Sequence, residues 1–271
     1  WMCVMENTDQ LTERKARQPI GVFDSGVGGI SVLRELIRVM PNEDYIYLGD
    51  SKNAPYGTKS LEQVRELSFH NARTLLEQGA KGLVVACNTA TSAAVRIMRG
   101  MYPELPIVGI EPALKPAALQ KEHPQVLVMA TPMTVQQEKF RQLMARYEDQ
   151  AQIYPLPCPG LMEFVEAGDL ESGRLYDFLR ELLAPYLTKQ LDSVVLGCTH
   201  YPFARKMIQQ IVGENVTIFD GGAGTAREMR RRLAAAGLLN PSETPGTVTF
   251  ENSLATEEEL ELCQRLLHMD I

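Results

Sequence analysis

The sequence comprises 271 residues, of which 45% are hydrophobic and 23% charged, a composition typical of a globular protein with a substantial core. Its formal net charge of −7 argues against a nucleic-acid partner and against an anionic membrane surface, because both attract basic faces. No apolar run approaches the roughly 20 residues of a membrane span, and the opening segment is too short for a signal peptide, so a cytoplasmic protein is predicted.

Residues 1–18 are predicted to form a polar N-terminal tail that is free to move. Beyond it, short apolar runs alternate with amphipathic stretches, which predicts a parallel sheet with crossover helices. Eight strands are predicted in chain order, at 20–24, 45–49, 83–87, 106–110, 126–130, 152–156, 193–197 and 216–220. Helices are predicted between them, and a last one at "TEEELELCQRLL" begins at Thr256 as its N-cap.

The eight strands divide into two similar sets of four. Their matching ends lie 106 residues apart (24 and 130), 107 apart (49 and 156), and twice 110 apart (87 and 197, 110 and 220). The near-constant spacing predicts a duplicated four-strand α/β unit with a cleft between its two pseudo-symmetric halves.

Four of the predicted strands end in small polar clusters that lead directly into helices. The clusters are Asp24-Ser25-Gly26, Cys87-Asn88-Thr89, Thr131-Pro132-Met133-Thr134 and Cys198-Thr199-His200. Each could be a helix cap alone, but ligands of an open parallel sheet bind at the carboxyl ends of its strands. Hydroxyls and free amides at helix N-termini favour a carboxylate ligand, and none of the clusters contains Arg or Lys.

The glycine-rich stretch "DSGVGG" resembles a dinucleotide-binding fingerprint, but Ser31 occupies the position of its third glycine. A P-loop is excluded because no GK[ST] follows. A tight strand-to-helix turn explains Gly26, Gly28 and Gly29, although it does not explain Asp24 at the last strand position.

The cysteines are five in number and show no C-x-x-C spacing, so neither a disulfide framework nor a zinc ribbon is predicted. Cys87 and Cys198 occupy equivalent positions in the two halves. A redox couple, a zinc site that includes His200, or acid/base chemistry from opposite sides of one ligand could use them. Inverting a stereocentre by proton transfer needs two such groups, and a thiol with a pKa of about 8.5 serves as acid or base. Asp24 and His200 would assist the two thiols.

Four motifs, "VFDSGVGG", "APYGTK", "VVACNTA" and "VVLGCTHYP", closely resemble those of glutamate racemases, within the aspartate/glutamate racemase group. The resemblance covers residues 19 to about 250. It implies a cofactor-independent, metal-free isomerase in which Cys87 and Cys198 are the opposed catalytic bases, assisted by Asp24 and His200. In biology it implies the supply of D-glutamate for peptidoglycan, and thus for cell-wall biogenesis and cell shape.

The resemblance also assigns substrate contacts and domains. The contacts are Asp24, Ser25, Tyr56, Gly57, Asn88, Thr89, Thr131, Thr134, Thr199 and His200, and Glu163 stands where the family often has an acid near the second cysteine. The family fold is α/β, with two flavodoxin-like, doubly wound domains of mainly parallel strands and the active site in the cleft between them. The first domain is expected at 19–112 plus 222–271 and the second at 113–221.

Two alternatives stay open: an aspartate racemase, because the same thiol pair could serve a shorter side chain, and a metal- or carboxylate-binding module whose thiols are ligands or structural. A homodimer is the expected assembly, and the partner is a small-molecule substrate, not nucleic acid or membrane.

Overall fold

The computed structural model describes residues 8–271. Of the predicted tail, residues 1–7 lie outside the described residues, whereas Thr8–Ala16 form a helix, α1. Ala16 is buried, and its carbonyl accepts a hydrogen bond from the Lys81 ammonium. A buried cation thus anchors the end of α1 to the first half, and the mobility of residues 1–18 stays a prediction.

Within the described residues, nine strands form two sheets. They are Ile20–Asp24 (β1), Tyr45–Gly49 (β2), Gly82–Val85 (β3), Ile107–Gly109 (β4), Gln125–Ala130 (β5), Gln152–Pro157 (β6), Ser193–Leu196 (β7), Thr217–Asp220 (β8) and Val248–Asn252 (β9). The first eight agree with the predicted strands to within two residues at each end. β9 was not predicted, since only one of its five residues is buried and its sequence follows a loop rich in proline and glycine.

The strands alternate with helices that cover both sheets. After α1 these are Ile30–Val39 (α2), Leu61–Glu77 (α3), Asn88–Met101 (α4), Leu114–Ala118 (α5), Pro132–Gln136 (α6), Glu138–Ala145 (α7), Leu161–Glu166 (α8), Gly173–Leu183 (α9), Arg205–Val212 (α10), Gly222–Ala235 (α11) and Glu257–His268 (α12). As predicted, the Thr256 side chain caps α12 by accepting from the Glu259 amide. No helix in this part of the chain is long and apolar enough to cross a membrane.

Both sheets are parallel and have the same strand order. The first runs β4-β3-β1-β2 and adds β9 at its edge beside β2, and the second runs β8-β7-β5-β6. Read from the other end, each four-strand set has the order 2-1-3-4 of the flavodoxin-like doubly wound fold. The predicted α/β class and the duplication are therefore confirmed.

The apolar core follows from this arrangement. Strand side chains alternate between faces, so Val22 and Phe23 of β1 enter separate hydrophobic clusters on opposite sides of the first sheet. Val128 and Met129 of β5 do the same in the second sheet. After β8 the chain returns to the first half, where α11 and α12 pack on α2. The predicted domain boundaries at 112/113 and 221/222 agree with this path and stay a prediction.

A buried ion pair ties several segments of the first half together at the end of the sheet opposite the strand-end clusters. Lys81 is fully buried and Glu43 almost so, and their charged groups form a salt bridge. Glu43 also accepts the Asn240 amide at 2.9 Å. Removing one partner of such a pair leaves an uncompensated buried charge.

We therefore expect Lys81→Met to lower the free energy of unfolding, measured with urea, by about 3–5 kcal/mol. The double variant Lys81→Met/Glu43→Leu is expected to recover part of that loss, because it leaves no charge in the apolar site. A double variant less stable than Lys81→Met would contradict this account of the pair.

Candidate active site

The four predicted polar clusters lie at matching points of the two sheets. Asp24 ends β1 and Cys87 follows β3, while Thr131 follows β5 and Cys198 follows β7. β1 and β3 are neighbours in the first sheet, as are β5 and β7 in the second. In each pair, the chain runs from the two strands to next strands that lie on opposite sides of the pair. This is the switch point at which open α/β sheets bind ligands.

The first thiol, Cys87, is the N-cap of α4. Its sulfur accepts the Ala90 amide at 3.4 Å, and the side chain is 5% exposed. The pKa of this thiol is raised to about 12, chiefly by burial and also by the negative charge of Asp24, while the Ala90 amide and the Ser25 side chain act against the rise. A negative charge on Cys198 would also raise the pKa of Cys87.

Asp24 joins the two halves of the site. One carboxylate oxygen accepts the Gly26 amide at 3.2 Å, and the other accepts the hydroxyl of Thr199, from the second half, at 3.2 Å. Burial raises the pKa of this fully buried carboxyl, and the charge of His200 opposes the rise. The Thr199 carbonyl in turn accepts the Ser31 hydroxyl at 2.8 Å.

The second thiol is followed by a histidine and an acid. Cys198 Sγ lies 3.6 Å from His200 Nδ1, and His200 Nε2 lies 2.5 Å from Glu166 Oε1. Burial alone would lower the His200 pKa, but the hydrogen bonds and charges of Cys198 and Glu166 raise it well above the usual value. Burial would raise the Glu166 pKa, but the hydrogen bond and charge of His200, together with the Val27 amide and the Ser51 hydroxyl, lower it below its usual value. The ring is therefore an imidazolium paired with a carboxylate.

The acid in this position is Glu166 and not Glu163, which the sequence analysis named. Glu163 is exposed on α8, while Glu166, one helical turn later, points at His200. Two glutamates three residues apart lie on neighbouring helix faces, so helical periodicity alone does not choose between them. The choice depends on how α8 packs against the turn after β1, where the Val27 amide donates to Glu166 Oε1 at 2.8 Å.

The glycines of "DSGVGG" are required by close packing. A Cβ atom at Gly26 would lie 2.0 Å from Glu166 Oε1, and one at Gly28 would lie 2.3 Å from His200 Nδ1. Neither glycine adopts a positive φ, so the turn itself does not demand them. The sequence analysis attributed them to a tight turn, whereas the structure shows that they make room for the acid and the imidazole of the other half.

Hydroxyl groups from both halves form a second contact across the cleft. Thr89 Oγ1 lies 3.4 Å from the hydroxyls of both Thr131 and Thr134, which are 2.9 Å from each other. Gly57 packs against Thr131, where an added Cβ would approach the threonine Cβ to 3.0 Å. These predicted contacts thus gather around one small region.

Tyr56 is buried, but its hydroxyl does not face the clusters. It donates to Asp50 Oδ2 at 2.6 Å and accepts from Asn71 at 3.1 Å. Because the Tyr56 hydroxyl is already hydrogen-bonded, the groups of this turn that could contact a ligand are the backbone atoms of Tyr56 and Gly57. Asp50, which directly follows β2, holds the tyrosine in place.

Asn88, beside the first thiol, has both amide atoms buried and without a hydrogen-bond partner among the described residues. Burying an amide without partners costs about 1–3 kcal/mol, so such a group in an active site points to a ligand. Asn88 and Thr134 also line a small cavity of about 50 Å³ between the halves. Within the described residues, no group of three or more His, Cys, Asp and Glu side chains could hold a metal ion.

The sequence profile of the Asp/Glu/Hydantoin racemase family matches residues 20–229. The chain is 53% identical to a glutamate racemase of Clostridium perfringens over 251 residues, which are 93% of this chain and 96% of that protein. The Escherichia coli glutamate racemase, solved with L-glutamate and the activator UDP-MurNAc-ala, has a TM-score of 0.78 at 32% identity, over 92% of this chain and 95% of that one. The Francisella tularensis glutamate racemase, solved with D-glutamate, has a TM-score of 0.81 at 26% identity, over 94% and 96% of the two chains.

Proposed function

Because this chain belongs to the Asp/Glu/Hydantoin racemase family, we propose that it interconverts L- and D-glutamate, with Cys87 and Cys198 as two opposed bases and without a cofactor. The observation that carries this proposal is the placement of the two thiols. Each is buried and stands two residues beyond the end of an equivalent strand, β3 or β7, in a duplicated unit.

Two bases are needed because racemisation removes a proton from one face of the α-carbon and delivers one to the opposite face. A thiolate on one side takes the α-proton, and the thiol on the other side protonates the carbanion, so the two cysteines exchange states in each turnover. In the reverse direction they exchange roles.

Neutral donors and one acid would hold the substrate. The unpartnered Asn88 amide and the hydroxyls of Thr89, Thr131 and Thr134 suit the carboxylates of glutamate. Asp24 would accept the substrate ammonium. The nearly complete burial of these side chains indicates that the two halves separate to admit the amino acid.

The bound ammonium would also activate Cys87. With a pKa of about 12, this thiol is protonated at neutral pH in the substrate-free site. A positive charge within about 4–6 Å favours the thiolate, and it offsets the charge of Asp24. On the other side, the His200 imidazolium directs an N–H towards the Cys198 sulfur and stabilises its thiolate.

We further propose that the product, D-glutamate, supplies peptidoglycan synthesis, and thereby cell-wall biogenesis and cell shape. The cytoplasm suits free thiols, since reducing conditions keep them active, and Cys87, Cys158, Cys198 and Cys263 are free. A homodimer is part of the same proposal and is tested by light scattering of the purified enzyme.

Incubation with L-glutamate in heavy water is expected to give D-glutamate that carries deuterium at the α-carbon, without added pyridoxal phosphate or metal. The label arises because the delivering thiol has exchanged its proton with solvent. Mass spectrometry after chiral separation measures it.

The same experiment with L-aspartate separates the two candidate substrates. The 53% identity to a glutamate racemase favours much faster labelling of glutamate. Faster labelling of aspartate would instead select the aspartate racemase, and no labelling of either amino acid would contradict the proposal and favour a binding module.

A further inference from the structure

Ser31, in the first turn of α2, forms a hydrogen bond between the two halves of the site. A serine at the start of a helix ordinarily caps it, and the N-cap of α2 is Gly29, which has no side chain to do so. The buried Ser31 hydroxyl does not take over that role, because it donates to the Thr199 carbonyl at 2.8 Å. The residue that replaces the third glycine of a dinucleotide-binding fingerprint thus contacts the turn after the second thiol.

The Thr199 carbonyl differs from its two neighbours in the turn after β7. The Cys198 carbonyl accepts the Tyr201 amide at 3.2 Å. The His200 carbonyl accepts the Phe203 amide, also at 3.2 Å. Both of these carbonyls are held within the second half, whereas the Thr199 carbonyl between them is held by the first half. The Ser31 bond therefore fixes the peptide that joins the second thiol to its histidine.

Thr199 has a second link to the first half, since its hydroxyl donates to Asp24 at 3.2 Å. In the proposed function, Asp24 accepts the substrate ammonium, which competes with the Thr199 hydroxyl for that carboxylate. The bond from Ser31 to the Thr199 carbonyl involves neither of these two groups. It is therefore the link between the halves for which the substrate does not compete at Thr199.

The first thiol lacks an equivalent of this bond among the described residues. The spacing of 106 residues between the ends of β1 and β5 makes Gln137 the counterpart of Ser31 in the second half. Both amide atoms of the Gln137 side chain are buried and have no hydrogen-bond partner in the described part of the chain. The Cys87 sulfur is held from its own half, by the Ala90 amide at 3.4 Å. The two thiols therefore differ in how the opposite half holds them.

We propose that Ser31 is a positioning residue for Cys198, which it places relative to the substrate by holding the Thr199 carbonyl across the cleft. The inference rests on the proposed two-cysteine racemisation. Ser31 belongs to the half that carries Cys87, so its hydrogen bond fixes the second thiol relative to the first. Ser31 transfers no proton and does not touch the substrate. Its loss therefore slows proton transfer at Cys198 and leaves proton transfer at Cys87 unchanged.

Two single-base variants, Cys87→Ser and Cys198→Ser, separate the two proton transfers. Each retains one thiol that removes and returns a proton on its own face, so in heavy water each exchanges the α-hydrogen of one glutamate enantiomer, which mass spectrometry measures. Adding Ser31→Ala to Cys87→Ser is expected to slow this exchange by about tenfold, the factor that the loss of one ordinary hydrogen bond produces. Adding Ser31→Ala to Cys198→Ser is expected to leave the exchange rate unchanged.

Ser68→Ala is the matched control for Ser31→Ala. Ser68 is also a buried helical serine, in α3, and its hydroxyl donates to the Val64 carbonyl at 2.6 Å. Both partners of this bond belong to the same helix, so its loss does not change the position of one half relative to the other. We expect Ser68→Ala to leave the exchange rate unchanged in both single-base variants.

Kinetic isotope effects test the same point in the enzyme with both thiols. Racemisation transfers a proton at each thiol in turn, so slowing the transfer at Cys198 makes that step rate-limiting in both directions. With α-deuterated glutamate, Ser31→Ala is therefore expected to raise the isotope effect on kcat/KM for the enantiomer that Cys198 deprotonates. The isotope effect for the enantiomer that Cys87 deprotonates is expected to fall. This measurement also decides the case in which the single-base variants exchange too slowly to be followed.

Three results would overturn the inference: equal slowing of exchange in the two single-base variants, no slowing in either, or isotope effects that Ser31→Ala changes equally in both directions. Equal slowing would indicate a general loss of structure and not a role in placing Cys198. None of these results touches the proposed racemisation. That proposal fails separately if the unchanged enzyme labels no product in heavy water.

Discussion

Cys87→Ser and Cys198→Ser are each expected to lower kcat/KM for racemisation by about 10²–10⁴-fold, in both directions. Both directions suffer because every turnover uses one thiol as base and the other as acid, and a serine hydroxyl is far too weak an acid to replace either. Circular dichroism of each glutamate enantiomer measures the loss. The remaining thiol still removes and returns a proton on its own face, so each variant is expected to exchange the α-hydrogen of one enantiomer with heavy water.

Cys158→Ser is the matched control for these variants. Cys158 is buried like the other two, but its sulfur donates to the Leu156 carbonyl at 3.3 Å, a contact that a serine hydroxyl reproduces. We expect nearly unchanged activity. A fully active Cys87→Ser or Cys198→Ser enzyme would remove the two-base assignment.

Gly28→Ala is expected to lower kcat by about 10²-fold, because a shift of about 1 Å at a catalytic group costs that much. The added Cβ would lie 2.3 Å from His200 Nδ1 and 2.5 Å from Cε1 of the same ring. The ring is fully buried and held by Glu166. The added methyl group therefore displaces the ring and changes the distance between His200 Nδ1 and Cys198 Sγ. Steady-state kinetics in both directions, with thermal unfolding to verify the fold, measure the effect.

Gly100→Ala, in α4, is the control for the same substitution where space is open. Nothing lies within 4 Å of its added Cβ, so activity is expected to be unchanged and the free energy of unfolding to rise by about 0.5–1 kcal/mol. An unchanged kcat in Gly28→Ala would contradict this prediction, because it would show that the His200 ring can shift without any effect on catalysis.

Much of the fold and the centre of the site follow from local patterns in the sequence. The period of apolar runs and the repeat of about 110 residues predict eight of the nine described strands, and a parallel sheet places its ligands at the strand ends. Asp24, Cys87, Thr131 and Cys198 stand at those ends, so no knowledge of packing was needed to group them.

The residues that sequence reasoning missed depend on packing between distant segments. Glu166 was missed in favour of Glu163 because only the contact with the turn at Val27 distinguishes the two faces of α8. Ser51 follows β2. Its hydroxyl donates a hydrogen bond to Glu166, 115 residues later, and accepts one from Asn252, 201 residues later. No periodicity within one element contains such information.

The position of β9 has a consequence for the synthesis of the chain on the ribosome. β9 covers the outer edge of β2, yet it is made about 200 residues later, so at roughly 5–20 residues per second the edge of β2 waits about 10–40 s for its neighbour. An unpaired strand edge is a template for pairing with other chains. The nascent first half is thus open to aggregation until the last strand emerges, and faster elongation through residues 50–250 would shorten that exposure.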